Sequence, residues 1–368
     1  MRLSSKETIR TVGLMSGTSM DGLDIVVADI NLSNNVHYQL IDNESIVYPK
    51  DLRQKIRYAV YNPEKDHCAL DDFLGKWYAD TLFNYLESKK INNIDLIGSH
   101  GQTIHHISGV SSLQIGNPEY LVKKINVPVV SDFRSADIVA GGTGAPLMPK
   151  IDEWLFRNDS SSIITLNIGG IANVTFLPSL AHEEVVGFDT GPGMSLLDEA
   201  YLKKYNDGFD VNGQLALKGN VNRELVSKWL TQSYFIKPFP KSTGRDQFGI
   251  NWLNNHVDKN DFEDQLATLS YFTAKSIFIG CEKFIKINNM SKIIVSGGGA
   301  HHQCIMKFLK VLFNPTKVIP SSKLDICVDS KEALGFAILA VAHIKDIPGN
   351  IPSVTGAKTP VVLGKITL

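Results

Sequence analysis

Glycines, hydroxyls and carboxylates cluster after an apolar segment near the start of the 368-residue chain. Residues 11–30 read TVGLMSGTSMDGLDIVVADI, which predicts a strand, a turn at Ser16–Ser19 and a second strand from Ile25. Glycine lets the backbone approach an anion closely, and the amides and hydroxyls of the turn donate hydrogen bonds to it. The segment therefore indicates a polyphosphate site, although an ordinary β-hairpin with a polar tip explains the same pattern.

The candidate ligands in this turn are small or polar residues, namely Gly17, Thr18, Ser19, Asp21, Gly22 and Asp24. Mg²⁺ keeps much of its hydration shell and is often held in proteins through one or two carboxylates. We therefore expect Asp21 and Asp24 to hold Mg²⁺ through water.

A second carboxylate candidate, Asp189, follows a predicted strand at Glu184–Gly187 and precedes a glycine-rich turn that opens a helix. A rigid strand end is a good place for a general base. The helix N-terminus lowers the pKa of such a carboxyl, whereas nearby phosphate raises it, and a base working near neutral pH needs this opposition. The alternative is that Asp189 only caps the helix.

Three consecutive glycines, Gly297, Gly298 and Gly299, lie between a predicted strand and a helix. They leave room for a nucleoside on bare backbone. The spacing does not match the Rossmann fingerprint, and the sequence contains no Walker A motif. ATP binding, if present, must use the glycine hairpins and this loop.

Residues suited to a polyhydroxy or acidic ligand follow two other predicted strands. His100 lies in the segment SHGQTIHH, for which a zinc site is the less favoured alternative because a clear carboxylate or cysteine partner is missing. Arg134 is suited to a bidentate contact with a substrate carboxylate, or to an ion pair with Asp137. Glu332 falls in the first turn of a predicted helix, where the helix dipole favours an anion.

Composition limits the class of protein. The chain is 43% hydrophobic and 20% charged with a formal net charge of −1, so a basic surface for nucleic acid is not expected. The four cysteines are far apart and predict reduced thiols in a cytoplasmic protein. No membrane segment is expected, because the most apolar run, Ala333–Ile344, is too short to span a bilayer.

The order of predicted elements is that of an α/β protein, and its length favours two domains. The predicted helices are Cys68–Lys89, Gly193–Tyr205, Leu266–Ile287, His301–Leu312 and Ser330–Ile344. The segment Ser162–Leu177 repeats the strand–turn–strand pattern of residues 11–30, with Gly169 and Gly170 in its turn. This repeat indicates duplicated domains facing a shared cleft, although short glycine hairpins are common enough to coincide.

Taken in order, these motifs resemble the phosphate 1, connect 1, phosphate 2, adenosine and connect 2 signatures of the actin, hexokinase and Hsp70 ATPase superfamily. More narrowly, the chain resembles the anhydro-N-acetylmuramic acid kinase family over nearly its whole length. The segments that carry the resemblance are 15–24 (MSGTSMDGLD), 100–103 (HGQT), 132–134 (DFR), 140–147 (AGGTGAPL), 167–173 (NIGGIAN), 187–193 (GFDTGPG), 240–246 (PKSTGRD), 296–299 (SGGG) and 352–357 (PSVTGA). One departure is Met194, where the family usually has Asn.

The resemblance implies two duplicated, ribonuclease H-like domains around a central ATP cleft. Residues 1–160 with 331–368 would form the first domain, and residues 161–330 the second, with an insertion at about 207–260. It implies a kinase that opens the 1,6-anhydro ring of anhydro-N-acetylmuramic acid with water and phosphorylates O6 with ATP. The products would be N-acetylmuramic acid 6-phosphate and ADP, in the recycling of cell-wall sugars.

The resemblance also implies roles for residues. Asp189 would take a proton from the attacking water, and the two glycine hairpins would hold the phosphates and Mg²⁺. Arg134 would hold the lactyl carboxylate of the sugar, with Glu332 as a second carboxylate near it. A cytoplasmic homodimer is the expected assembly. The alternatives are a related sugar kinase without ring opening, an actin-like nucleotide switch and, less favoured, a zinc hydrolase.

Overall fold

The computed structural model describes residues 3–17, 20–32, 36–157, 160–179, 183–239, 241–257, 261–287 and 290–368. The strands are β1 (Ile9–Ser16), β2 (Gly22–Leu32), β3 (Val36–Val47), β4 (Leu96–Ile107), β5 (Ser111–Ile115), β6 (Val129–Ser131), β7 (Ser162–Ile168), β8 (Ile171–Leu177), β9 (Val186–Pro192), β10 (Met290–Ser296), β11 (Lys317–Pro320) and β12 (Lys365–Thr367). The helices are α1 (Lys50–Tyr61), α2 (Cys68–Lys89), α3 (Pro118–Ile125), α4 (Ser135–Val139), α5 (Met148–Phe156), α6 (Ser195–Tyr205), α7 (Arg223–Trp229), α8 (Ser233–Ile236), α9 (Ile250–His256), α10 (Phe262–Ile287), α11 (Gln303–Leu312), α12 (Lys331–Ile344) and α13 (Pro352–Thr355).

The chain forms two compact units. Residues 1–155 and 330–368 form unit 1, and residues 156–329 form unit 2. Each unit contains its own sheet and its own apolar core. The functional assignment of residues 1–160 with 331–368 and of residues 161–330 to two domains stays a prediction.

The same strand arrangement occurs in both units. In unit 1 the order is β12-β6-β4-β1-β2-β3, with β5 paired to β4. In unit 2 the order is β11-β10-β7-β8-β9. In each unit three strands follow one another as an antiparallel meander, and two further strands add in parallel beside the first. The predicted α/β class and the duplication are therefore confirmed.

The sheet of unit 1 is covered on both faces. On one face Val12 and Leu14 pack with residues of α1 and α2. On the other face α12 lies directly on the backbone of β1 and β4. A Cβ at Gly13 would lie 1.9 Å from the Ala333 carbonyl oxygen, and one at Gly98 would lie 2.3 Å from that of Phe336. The small residues of α12 therefore allow close packing of this helix against the strands.

A single large apolar cluster fills the core of unit 2. Helix α10 runs beside β8 and β9 and contributes Leu266, Phe272 and Ile277, all fully buried. The residues between β9 and α10 add aromatic side chains to the same core, among them Trp229, Phe248 and Trp252. Within the described ranges, no helix is long and apolar enough to cross a membrane.

Three predicted boundaries are wrong in ways that affect the candidate site. The strand predicted at Glu184–Gly187 is observed at Val186–Pro192, so Asp189 lies within β9 rather than after it. The polar segment after Gly98 continues β4 as far as Ile107, where hydrogen bonding with β5 replaces apolar burial as the force that holds it extended. Helix α6 begins at Ser195, which leaves Gly193 and Met194 in the turn before it.

Candidate functional site

The β1–β2 hairpin of unit 1 carries the first group of predicted ligands. Gly17 is in the turn, Asp21 is exposed beside it, and Asp24 is partly buried in β2. Thr18 and Ser19 lie outside the described residues. Gly22 packs against β3, because a Cβ there would come within 2.4 Å of the Ile46 carbonyl oxygen. Gly22 therefore has a structural reason to be glycine.

A buried hydrogen-bond network supports this hairpin from below. The Ser16 hydroxyl donates to Gln102 Oε1 at 2.6 Å, and the Tyr48 hydroxyl donates to Ser16 Oγ at 2.7 Å. Gln102 Nε2 in turn donates to the Gly17 carbonyl at 3.2 Å. The Tyr48 hydroxyl also lies 3.0 Å from that of Tyr78. Gln102 and Ser16 therefore hold the turn in place.

The two carboxylates of the hairpin fit a hydrated cation. Asp24 accepts a hydrogen bond from the Ser45 hydroxyl, which orients it. The charges of Asp21 and Asp24 both act on Tyr48, whose pKa is raised to about 12 chiefly by burial. Within the described ranges, no group of three or more His, Cys, Asp or Glu side chains is placed to hold a metal ion. A pair of carboxylates suits Mg²⁺ only if water and phosphate complete its shell.

Arg134, which follows β6, is in direct contact with His100, which lies within β4. Arg134 Nε and Nη2 lie 3.2 and 2.9 Å from His100 Nε2, and Arg134 Nη1 donates to the Gly144 carbonyl at 2.9 Å. His100 Nδ1 lies 2.9 Å from the Gly101 carbonyl, which assigns the ring proton to that nitrogen. Both ring nitrogens of His100 are thus engaged within the protein, and the ring orients the guanidinium.

The electrostatics of this pair keep the charge on arginine. Burial and the neighbouring guanidinium hold the pKa of His100 well below its usual value. Burial lowers the pKa of Arg134 to about 10, and the charge of Glu332 acts in the opposite direction. Arg134 therefore stays cationic at neutral pH, with Glu332 in its neighbourhood.

Asp137, considered above as a partner for Arg134, has other partners. Its fully buried carboxylate accepts hydrogen bonds from the Gly144 amide at 2.8 Å, and from Asn350 Nδ2 and Thr355 Oγ1 at 2.7 Å each. Asp137 thereby ties the 140–147 segment to the segment that contains α13. Its role in the site is to fix the loop whose Gly144 carbonyl receives Arg134.

The second glycine hairpin, in unit 2, is docked on the start of α6. The Gly169 carbonyl accepts from the Met194 amide at 2.8 Å, and the Gly170 carbonyl accepts from Gly193 and Ser195 at 2.9 and 3.0 Å. A Cβ at Gly193 would lie 2.2 Å from the Gly169 carbonyl oxygen, so only glycine allows this approach. Met194 occupies the N-cap position without a side-chain capping bond, and its side chain packs on the core.

The triple glycine follows β10, beside this hairpin. Gly297 and Gly299 are needed for packing, since a Cβ would lie 2.5 Å from Asn167 Oδ1 at the first and 2.3 Å from Ile168 Cγ2 at the second. Gly298 is exposed, and no atom lies within 4 Å of a Cβ added there. Of the three predicted adenosine contacts, Gly298 is thus the one that presents open backbone.

Asp189 is opposite Asn173 of β8, close to the Gly169–Gly170 turn. Its Oδ2 accepts a hydrogen bond from the Thr243 amide at 3.0 Å. Burial raises the pKa of Asp189 to about 6, and the Thr243 amide works in the opposite direction. The carboxyl is therefore ionised at neutral pH, yet more basic than an ordinary aspartate.

A segment that the individual motifs did not assign holds this aspartate in place. The Asp189 amide donates to the Lys241 carbonyl at 3.0 Å, and the Tyr234 hydroxyl donates to the Asp189 carbonyl at 2.7 Å. Lys241 Nζ donates to the Tyr234 carbonyl at 3.0 Å, which closes the arrangement. The signal in the sequence was the motif at residues 240–246, but its distance from Asp189 along the chain concealed the contact.

Two α/β units share one strand arrangement, and in each unit the turn that follows the first strand of the meander contains glycine, which defines a duplicated α/β fold. The family model for anhydro-N-acetylmuramic acid kinase matches residues 9–368. The chain therefore belongs to the anhydro-N-acetylmuramic acid kinase family.

Named relatives are similar to this chain over nearly their whole length. The anhydro-N-acetylmuramic acid kinase of Caldanaerobacter subterraneus subsp. tengcongensis is 36% identical, covering 100% of this chain and 99% of the relative. That of Coxiella burnetii is 38% identical, covering 97% of each chain. A solved structure similar to this chain is the activator of the 2-hydroxyisocaproyl-CoA dehydratase from Clostridium difficile with bound ADPNP. It has a TM-score of 0.45, is 14% identical, and covers 92% of this chain and 96% of that chain.

Proposed function

We propose that this protein is a kinase that hydrolytically opens the 1,6-anhydro ring of anhydro-N-acetylmuramic acid and transfers the γ-phosphoryl group of ATP to O6. The products are N-acetylmuramic acid 6-phosphate and ADP. The observation that carries the chemical part of this proposal is the Asp189 carboxyl, with its pKa near 6 and one oxygen fixed by the Thr243 amide.

Asp189 acts as the general base. Its Oδ2 is held by the Thr243 amide, so Oδ1 is the oxygen that accepts a proton from water. The water oxygen forms a bond to the anomeric carbon, and the bond from that carbon to O6 breaks. A base with a pKa near 6 is ionised at neutral pH and still accepts a proton in the transition state.

The freed O6 then forms a bond to the γ-phosphorus as the bond to the leaving ADP oxygen breaks. Phosphoryl transfer needs positioning and neutralisation of charge more than covalent help from the protein. Gly17 and Gly22 of the first hairpin, with Gly169 and Gly170 of the second, lie against the phosphates. Gly298 leaves space for the nucleoside.

Mg²⁺ supplies charge neutralisation on the phosphates when it is bound. Asp21 and Asp24 would hold it through water, and both are suited to this by position and charge. The other predicted ATP contacts, Thr18 and Ser19 among them, stay predictions.

Arg134 binds the lactyl carboxylate of the sugar. Its charge is retained at neutral pH, and its orientation is fixed by His100 and by the Gly144 carbonyl. His100 therefore acts through Arg134 rather than by its own contact with the sugar. Glu332 lies near enough to Arg134 for its charge to act on it, and we place it beside the sugar. The homodimer and the cytoplasmic location also stay predictions.

An isotope experiment tests the ring-opening reaction directly. The purified protein is incubated with ATP, Mg²⁺ and the anhydro sugar in ¹⁸O-labelled water, and the phosphosugar is analysed by mass spectrometry. One label at C1 and none in the phosphoryl group are expected. ADP release with plain N-acetylmuramic acid and with glucose is measured in parallel. Turnover of these sugars with an unlabelled product would favour a kinase that phosphorylates a free hydroxyl.

A further inference from the structure

We infer that Arg245 is a further phosphate-binding residue of this enzyme, contacting the phosphates of ATP at the Gly169–Gly170 hairpin. This inference rests on the proposed function, since it assigns a ligand to the same site. It comes from the placement of the segment 241–245 relative to the hairpin and to Asp189.

The guanidinium of Arg245 lies directly over the second glycine of the turn. A Cβ added at Gly170 would lie 3.3 Å from Arg245 Nε and 3.4 Å from Nη2. The bare glycine therefore leaves the guanidinium against the backbone of the turn. A phosphate seated on this hairpin would be within reach of its N–H groups, which match phosphate oxygens in a bidentate geometry.

The same segment also fixes the general base. Thr243, two residues before Arg245, donates its amide to Asp189 Oδ2 at 3.0 Å, and the Lys241 carbonyl accepts the Asp189 amide at 3.0 Å. The guanidinium of Arg245 and the carboxylate of Asp189 thus belong to two segments that are hydrogen-bonded to each other. The same segment therefore positions both the phosphate ligand and the general base.

The present partners of Arg245 leave it available for a phosphate. Nη1 lies 3.4 Å from Glu199 Oε1, and Nη2 lies 3.9 Å from Asp198 Oδ2, both on α6. These distances are long for charge-assisted hydrogen bonds, which are usually 2.7–2.9 Å, and the arginine side chain is 41% exposed. The two carboxylates keep the guanidinium near the turn without saturating it.

The test compares two variants that remove one positive charge from unit 2. Arg245→Gln is expected to raise the KM for ATP at least tenfold and to leave the KM for the sugar within about twofold. Lys218→Gln is the matched control, because Lys218 also forms a long ion pair, 3.5 Å from Glu263, and is 63% exposed. It should leave both KM values unchanged. Arg245→Lys should raise the KM for ATP less than Arg245→Gln does, because lysine keeps the positive charge but cannot form the bidentate contact of a guanidinium.

A purely structural ion pair gives a different pattern. In that case Glu199→Gln would raise the KM for ATP as much as Arg245→Gln does, which would overturn the inference. A phosphate ligand predicts that Glu199→Gln leaves the KM for ATP unchanged or lowers it. An unchanged KM for ATP in an active Arg245→Gln enzyme would also overturn the inference and leave the proposed function intact.

The proposed function can fail separately. If the wild-type protein does not turn over the anhydro sugar, the proposed function is wrong. Titration with ADP by calorimetry then tests Arg245 alone, because binding of ADP needs no sugar. A dissociation constant at least tenfold weaker in Arg245→Gln than in Lys218→Gln supports the inference, and equal constants overturn it.

Discussion

Two opposing influences on one carboxyl decide the chemistry at the residue scale. Burial raises the pKa of Asp189 to about 6, whereas the amide of Thr243 stabilises the ionised form. Without burial the group would be too weak a base, and without the amide it would be protonated over more of the physiological pH range. The position of Asp189 inside β9, rather than in a loop, keeps this balance fixed.

Replacement of Asp189 by Asn should abolish most of the turnover. The amide oxygen of Asn still accepts from Thr243, so the fold and the binding of ATP and sugar are expected to persist. A general base contributes roughly 10²- to 10⁴-fold, and kcat should fall by that amount. Steady-state kinetics with calorimetric titration of both ligands measure this. Near-normal turnover would leave Asp189 with only a structural role.

The pH dependence of the reaction should follow the same carboxyl. The base must be ionised, so kcat/KM is expected to fall as the pH drops through about 6, with a limiting slope of one decade per pH unit. An ordinary aspartate would place this limb near pH 4. A profile flat from pH 7 down to pH 4.5, on protein shown to be folded by circular dichroism, would contradict the assignment.

The raised pKa also predicts a stability effect with a defined sign. The unfolded carboxyl titrates near pH 4 and the folded one near pH 6, so the folded protein binds more protons between these values. Its stability therefore decreases as the pH rises through this window, and the cost is fully present above pH 6. Asp189→Asn removes the cost and should be more stable than wild type at pH 7.5, by about 1–3 kcal/mol. Urea unfolding at pH 7.5 and pH 4.5 checks this, since the difference should shrink at the lower pH.

At the scale of elements, some glycines are required for close packing and others leave backbone open to a ligand. The sequence alone does not distinguish these two functions. The motif SGGG predicts a turn after a strand, and the strand β10 and the turn are where it placed them. Which glycine is required for packing depends on atoms of β7, a strand far away in the sequence. The same holds for Gly13 and Gly98, whose partner α12 lies more than two hundred residues further along the chain.

Substitution of Gly298 and of Gly299 by alanine should affect ATP binding in the first case and the stability of the fold in the second. Gly298→Ala adds a methyl group in open space, so its free energy of unfolding should stay within about 0.5 kcal/mol of wild type. The methyl group should nevertheless weaken ATP binding, because the nucleoside is expected to lie there. Gly299→Ala places its methyl 2.3 Å from Ile168 Cγ2 and should destabilise the protein by roughly 1–3 kcal/mol. Urea unfolding and calorimetry of both variants distinguish these effects. Unchanged ATP affinity in Gly298→Ala would move the nucleoside elsewhere.

For the whole molecule, the sequence was sufficient to predict the fold class and the duplication of the two units. It was not sufficient to predict contacts between residues that are distant along the chain. Alternation of strands with helices and the repeated strand–turn–strand segment were enough to predict two related α/β units. The hydrogen bonds from Tyr234 and Thr243 to Asp189 could not be predicted, because they join segments about fifty residues apart. The pairing of His100 with Arg134 was hidden for the same reason, although both residues were singled out separately.

Nucleotide and metal should change the stability of the whole chain. A ligand that binds only the folded state stabilises it by about 2.7 kcal/mol at one hundred times its Kd. Thermal unfolding with ATP and Mg²⁺ should therefore occur several degrees higher than without them, and EDTA should remove much of the shift. Asp24→Asn should need more Mg²⁺ for the same shift, since its carboxylate is proposed to hold the hydrated ion. Asp80→Asn, which alters an exposed carboxylate paired with Lys124 on the surface of unit 1, should behave as wild type. Equal Mg²⁺ dependence in both variants would exclude Asp24 from the metal site. It would not bear on the assignment of the glycine hairpins to ATP, which is tested by the shift in unfolding temperature that the nucleotide causes.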